Sequence, residues 1–191
     1  MTDLVEQGQR PDYQPQVERV VGQDLVYPDV GTCVTVTHAR TGPEQPYLVG
    51  VHLGMYEHDD TPIKPETVSY AINRLKDLLE TRTGYWTQRR PHATFIIGWI
   101  GIWQASVPDR YNELYGHVQG WQRRKGTQIV TYDLDNLDPS PNTVTITFRN
   151  ATYQIEVNGV HKTRDAATGE WSKPTPVHRL GTWHPPHAAI L

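Results

Sequence analysis

Residues 27–55 read YPDVGTCVTVTHARTGPEQPYLVGVHLGM and hold the chain's only cysteine. Two β-rich runs flank Arg40-Thr41-Gly42-Pro43-Glu44-Gln45-Pro46, a turn-forming segment, so the stretch reads as an antiparallel hairpin. Side chains alternate along a strand, which puts Val34 and Val36 on one face of the first arm. Tyr47, Val49, Val51 and Leu53 share a face of the second arm. If both rows enter one core, the other face carries Cys33, Thr35 and Thr37 with Leu48, Gly50 and His52. Centring the turn on Gly42 and Pro43 sets Cys33 directly opposite His52. Directly opposed residues have Cβ atoms roughly 4.5–5.5 Å apart, within reach of a thiol–imidazole hydrogen bond. A slip of two residues keeps the pair as diagonal neighbours, whereas a slip of one would expose the valines.

At 191 residues the chain is long enough for one sizeable core and short for two. The expected division is an N-terminal arm over 1–22, one domain over 23–160 and a C-terminal extension over 161–191. A net charge of −3, with both signs interspersed, gives no electrostatic footprint for nucleic acid. No run approaches the roughly 18 apolar residues of a spanning helix, so membrane insertion is not expected. One cysteine makes neither an internal disulfide nor a thiolate zinc site. The expectation is a cytoplasmic protein, or one delivered to a target cell without a classical signal peptide, that needs no cofactor and no metal.

Beyond the hairpin, Val68, Ala71, Ile72, Leu75, Leu78 and Leu79 recur at helical spacing behind Pro65, predicting a helix that ends near Thr81 to Gly84. Ala93–Trp103 (ATFIIGWIGIW) reads as one buried strand. Pro108-Asp109 opens a second helix whose stripe is Tyr111, Leu114, Tyr115, Val118 and Trp121, closing at Arg123-Arg124-Lys125. Thr127–Leu134 reads as a strand, and 143–149 with 152–157 as a second hairpin about Asn150-Ala151. The predicted fold class is an α/β sandwich: a mostly antiparallel or mixed sheet with two main helices.

Gly31-Thr32-Cys33-Val34, followed after a turn by Gly50-Val51-His52-Leu53, resembles the Gly-Ser-Cys-Val motif and later histidine of the chemoreceptor glutamine deamidases (CheD). Deamidase toxins of the cytotoxic necrotizing factor type share that Cys-His core and sandwich. The order of elements over roughly residues 25 to 160 is similar as well. Tyr27 stands six positions before the cysteine, where the chemoreceptor enzymes have a threonine.

The resemblance implies a thiol hydrolase that deamidates a glutamine side chain of a partner protein, with Cys33 as nucleophile and His52 as general acid and base. A free cysteine has a pKa of about 8.5, and a neighbouring imidazole that takes its proton leaves a thiolate–imidazolium pair. Backbone N–H groups of Thr32 and Cys33 are the oxyanion candidates, with Gly31 supplying the turn. Tyr27, by motif position, and Thr35, by strand geometry, are the candidates for orienting His52. A cysteine peptidase or a transglutaminase-like transferase would use the same pair. A non-catalytic protein-binding module on the same fold is the alternative of a different class, since a lone cysteine in a valine-rich strand is ordinarily a small buried hydrophobe.

Other clusters read as structure first. His178, His184 and His187 stand among prolines without a carboxylate or thiol partner. Glu57, His58, Asp59 and Asp60 form a polar loop beyond His52, open to a cation or a substrate. Arg89 and Arg90 beside Trp86 suit a solvated loop or a docking surface, and His38 is expected at a strand end by the turn.

Overall fold

The computed structural model describes residues 2–4, 17–21, 24–41, 46–57, 60–80, 93–125, 127–135, 142–149, 152–159 and 177–183. Five strands, β1 (Thr2–Leu4), β3 (Asp24–Val30), β8 (Asn142–Arg149), β9 (Thr152–Gly159) and β10 (Val177–Trp183), form one sheet in that order. The second sheet runs β2 (Val17–Val21), β5 (Pro46–Gly54), β4 (Cys33–Thr41), β6 (Ala93–Gly98), β7 (Gln128–Asp133). Pairing is antiparallel except between β1 and β3 and between β6 and β7, so both sheets are mixed. Helices α1 (Pro65–Glu80), α2 (Ile100–Ser106) and α3 (Pro108–Lys125) pack on the second sheet, making an α/β sandwich of three layers. Among the described residues no helix is long and apolar enough to cross a membrane.

Alternation along β4 and β5 divides their side chains between two cores. Val34, Val36, Val49, Val51 and Leu53 face the helices and pack on Val68, Ala71, Leu75, Leu114 and Val118, all fully buried. Each such aliphatic side chain contributes about 1.5–3 kcal/mol relative to exposure. Cys33, Ala39 and Leu48 lie on the other face, in a second core with Leu25, Tyr27, Val144, Ile146, Tyr153 and Val157 of the facing sheet. The face carrying Cys33 and His52 is thus a buried interlayer, where the hairpin reading set it apart from the only core it could see.

Three further expectations change. The β4–β5 hairpin closes with Thr41 opposite Pro46, leaving four residues between the strands, and the register lies two residues from the one drawn on a turn at Gly42-Pro43. Burial of the valines fixes only the parity of pairing, and a slip of two preserves it. The apolar run 93–103 is not one strand: β6 stops at Gly98 and α2 begins at Ile100. Gly98 has φ 154°, and a Cβ there would overlap the Cys33 carbonyl oxygen, so the chain turns where only glycine fits. Beyond that turn Ile100 and Trp103, three apart, bury on the helix side. Finally, β1 and β2 lie within the segment read as a loose arm and β10 within the C-terminal extension, each completing a sheet edge.

The second hairpin follows its reading, with Arg149 opposite Thr152. At the far end of β7, Asp133 accepts the Gly101 N–H at 3.1 Å and Asp135 accepts the Ile102 N–H at 3.1 Å. These carboxylates satisfy donors at the start of α2 that have no partner inside the helix.

Candidate active site between the sheets

Cys33 opens β4 at the corner where the chain leaves the first sheet for the second. The corner is tight: Asp29 has φ 56°, in the left-handed region, and the Gly31 N–H donates to the Asp29 carbonyl at 2.8 Å. Asp29 and Thr32 are exposed, and Cys33, one residue further, is only 4% exposed. Two tryptophans clamp its backbone. The Trp103 indole N–H donates to the Thr32 carbonyl at 3.0 Å, and the Trp99 backbone N–H donates to the Cys33 carbonyl at 3.0 Å. Because a trans peptide directs its C=O and N–H to opposite sides, the Cys33 N–H points away from Trp103. Of the two oxyanion candidates, the Cys33 N–H is therefore held on a fixed peptide plane, and the Thr32 N–H belongs to the preceding Gly31–Thr32 unit.

His52 is 1% exposed and lies directly opposite Thr35, while Cys33 lies opposite Gly54. Cysteine and histidine therefore share a face as diagonal neighbours, with Cβ atoms separated by about 7–8 Å or somewhat less. That spacing is wider than the direct opposition expected from the turn.

The two orienting candidates reach His52 differently. Tyr27 comes from the opposite sheet, and its ring meets the imidazole at a centroid distance of 6.1 Å and an interplanar angle of 87°. Its hydroxyl makes a short hydrogen bond with the Thr37 hydroxyl, and burial holds the phenol well above its ordinary pKa. Gly50 provides the room: a Cβ there would overlap the Tyr27 hydroxyl and come within 2.6 Å of Leu25. Thr35, directly across from His52, donates its hydroxyl to the Ile97 carbonyl at 2.9 Å, so its proton is directed at β6.

Burial pushes the Cys33 thiol up to about 11; the Gly31 backbone N–H opposes this and the Asp29 charge adds to it. Burial therefore favours the neutral thiol over the thiolate. A neutral thiol becomes a strong nucleophile only where a neighbouring base takes its proton as the new bond forms, as triad hydrolases do with a neutral hydroxyl.

The other sequence candidates fall elsewhere. Glu57 is structural: its carboxylate accepts the Lys64 N–H at 3.0 Å and the Thr67 hydroxyl at 2.8 Å, and pairs with the Lys64 ammonium at 2.8 Å. Those contacts outweigh its desolvation and lower its pKa. His58, Asp59, Trp86, Arg89, Arg90, His184 and His187 lie outside the described residues, and His178 sits in β10. His38 is not at a strand end, because β4 continues to Thr41. It is fully buried on the helix side, its Nδ1 2.8 Å from the Thr94 hydroxyl and its ring edge-on to His117 at 5.7 Å.

Sequence reasoning missed the contribution of the facing sheet and the clamp of Trp99 and Trp103. One signal was present: a glycine inside a strand, Gly50, marks close approach by another group. No model of a known protein family matches the chain, and no curated protein does either.

Proposed function

We propose that the chain is a cofactor-independent thiol hydrolase that deamidates a glutamine side chain of a partner protein. The observation that carries this reading is the convergence of Cys33, His52 and Tyr27 in one layer between the sheets, at the corner where β4 begins. The Cys33 sulfur attacks the side-chain carbonyl carbon while its proton passes to His52. Collapse breaks the carbon–nitrogen bond, and His52 returns the proton to the departing nitrogen, releasing ammonia and leaving a thioester. Water, deprotonated by His52, attacks the thioester; the carbon–sulfur bond breaks, and the thiol regains its proton as glutamate leaves. The fixed Cys33 N–H supplies a donor for the oxyanion.

A second reading draws on a specific observation, the burial of Cys33 at 4% exposure. On that reading the sandwich is a non-catalytic module that binds a protein, and Cys33 is a packing residue. One experiment separates them. Glutamine-bearing peptides and unfolded proteins are incubated with the full chain, and glutamate formation is followed by mass spectrometry together with released ammonia. Conversion that disappears in both Cys33→Ser and His52→Ala supports the hydrolase. Conversion that persists in Cys33→Ser, or none alongside a thiol that stays unalkylated in the folded protein, supports the module.

A further inference from the structure

We infer that the groove between α1 and α3 is a binding site for a free α-amino acid, held by its ammonium and carboxylate groups. A cavity of about 390 Å³ opens there, on the side of the second sheet away from Cys33. That is large enough for a small molecule of this class. Its α1 wall carries Ser69, Ile72, Asn73 and Lys76, and its α3 wall carries Glu113, Gly116 and His117. Positions three and four apart share a helix face, so the polar groups of each wall point into the same groove, with Ile72 as its apolar floor on α1. The Ser69 hydroxyl donates to Glu113 at 2.8 Å and ties the walls together, while His117 is braced from beneath by the buried His38 ring.

Charge sets the ligand class. Lys76 and Glu113 line the same cavity with opposite signs, yet among the described residues neither forms an ion pair. A ligand with one carboxylate and one ammonium satisfies both through charge-assisted hydrogen bonds, whereas an anion or a cation alone satisfies one and is repelled by the other. The Asn73 amide offers both a donor and an acceptor to the rest of the molecule.

Gly116 is the independent observation. It sits in the middle of α3, where glycine is unfavourable, and a Cβ there would meet nothing within 4 Å. Packing within the chain therefore does not call for glycine at this position. A bare helix surface on the cavity wall is what a ligand lying close against α3 requires.

Isothermal titration calorimetry of the full chain against a panel of free L-amino acids, with propylamine and propionate as single-charge controls, tests this. At least one amino acid binds with a defined stoichiometry, and neither control does. Lys76→Gln and Glu113→Gln each weaken binding by about tenfold or more, as expected when a charge-assisted contact is lost. Gly116→Ala raises the thermal unfolding midpoint and still weakens binding, which separates a filled site from a damaged fold. A panel with no binder, controls that bind as well as the amino acids, or affinities unchanged in the Lys76 and Glu113 variants would each overturn the inference.

Discussion

The Tyr27 ring, carried by one sheet, stands perpendicular to the His52 imidazole of the other, with centroids 6.1 Å apart. The contact crosses the interlayer and fixes the position of His52 through residues far from it in the chain. Tyr27 reaches it only because Gly50 leaves a notch in β5, and its hydroxyl is anchored on Thr37. Packing and the proposed chemistry thus depend on the same few side chains.

Gly50→Ala is expected to destabilise the fold by about 1–3 kcal/mol, because the added methyl collides with Tyr27 and Leu25 in a filled core. Tyr27→Phe removes the colliding oxygen at the cost of a hydrogen bond, about 0.5–1.5 kcal/mol. The double variant should therefore lose less than the two single losses added together. Urea unfolding of the four proteins measures this, and strict additivity would show that Tyr27 does not occupy the notch.

Gly98→Ala combines a strained φ with an overlap on the Cys33 carbonyl, so the expected loss is again about 1–3 kcal/mol. The Trp99 N–H donates to that same carbonyl, and displacement should reach the thiol. Near-ultraviolet circular dichroism of the tryptophans, followed with urea unfolding, checks both effects.

Glu57→Gln keeps the shape of the Lys64 and Thr67 contacts and removes the charge. A loss of about 1 kcal/mol at neutral pH is expected, since Lys64 is largely exposed and solvent screens the pair. The folded-state pKa of Glu57 is depressed, so its contribution is present above the ordinary carboxylate range and fades as the pH falls through it. The wild type and the variant should converge in acid when stability is measured as a function of pH.

His38 adds a second acid dependence. Burial first, and the neighbouring His117 second, hold its pKa well below the ordinary value. The unfolded chain then binds a proton that the folded chain refuses, and stability declines as the pH falls below about 6.5. His38→Gln, which keeps a partner for Thr94, should flatten the decline in that window.

Much of this architecture is legible from local pattern. Alternation assigned Val34, Val36, Val49, Val51 and Leu53 to one core, and helical spacing found α1 and α3, because those signals lie within a few residues. The apolar run 93–103 reads wrongly as one strand because a buried strand and a buried helix turn present the same composition, and the break depends on the approach of the Cys33 carbonyl to Gly98. Parity put Cys33 and His52 on one face, but the length of the 42–45 connection decided which partners they face. The second core could not be read locally: it brings residues 25 and 27 against 144–157, a pairing that no short-range pattern encodes.

The proposed chemistry turns on His52 removing the Cys33 proton during attack. The most direct measurement is the rate at which iodoacetamide alkylates Cys33 in the folded protein, followed by mass spectrometry across pH for the wild type and His52→Ala. If His52 does so, the wild type reacts in its folded state at neutral pH, its rate climbs toward about pH 11 as the buried thiol ionises, and His52→Ala slows the neutral-pH reaction severalfold or more. A thiol that reacts only after unfolding, or equally fast with and without the imidazole, would contradict it.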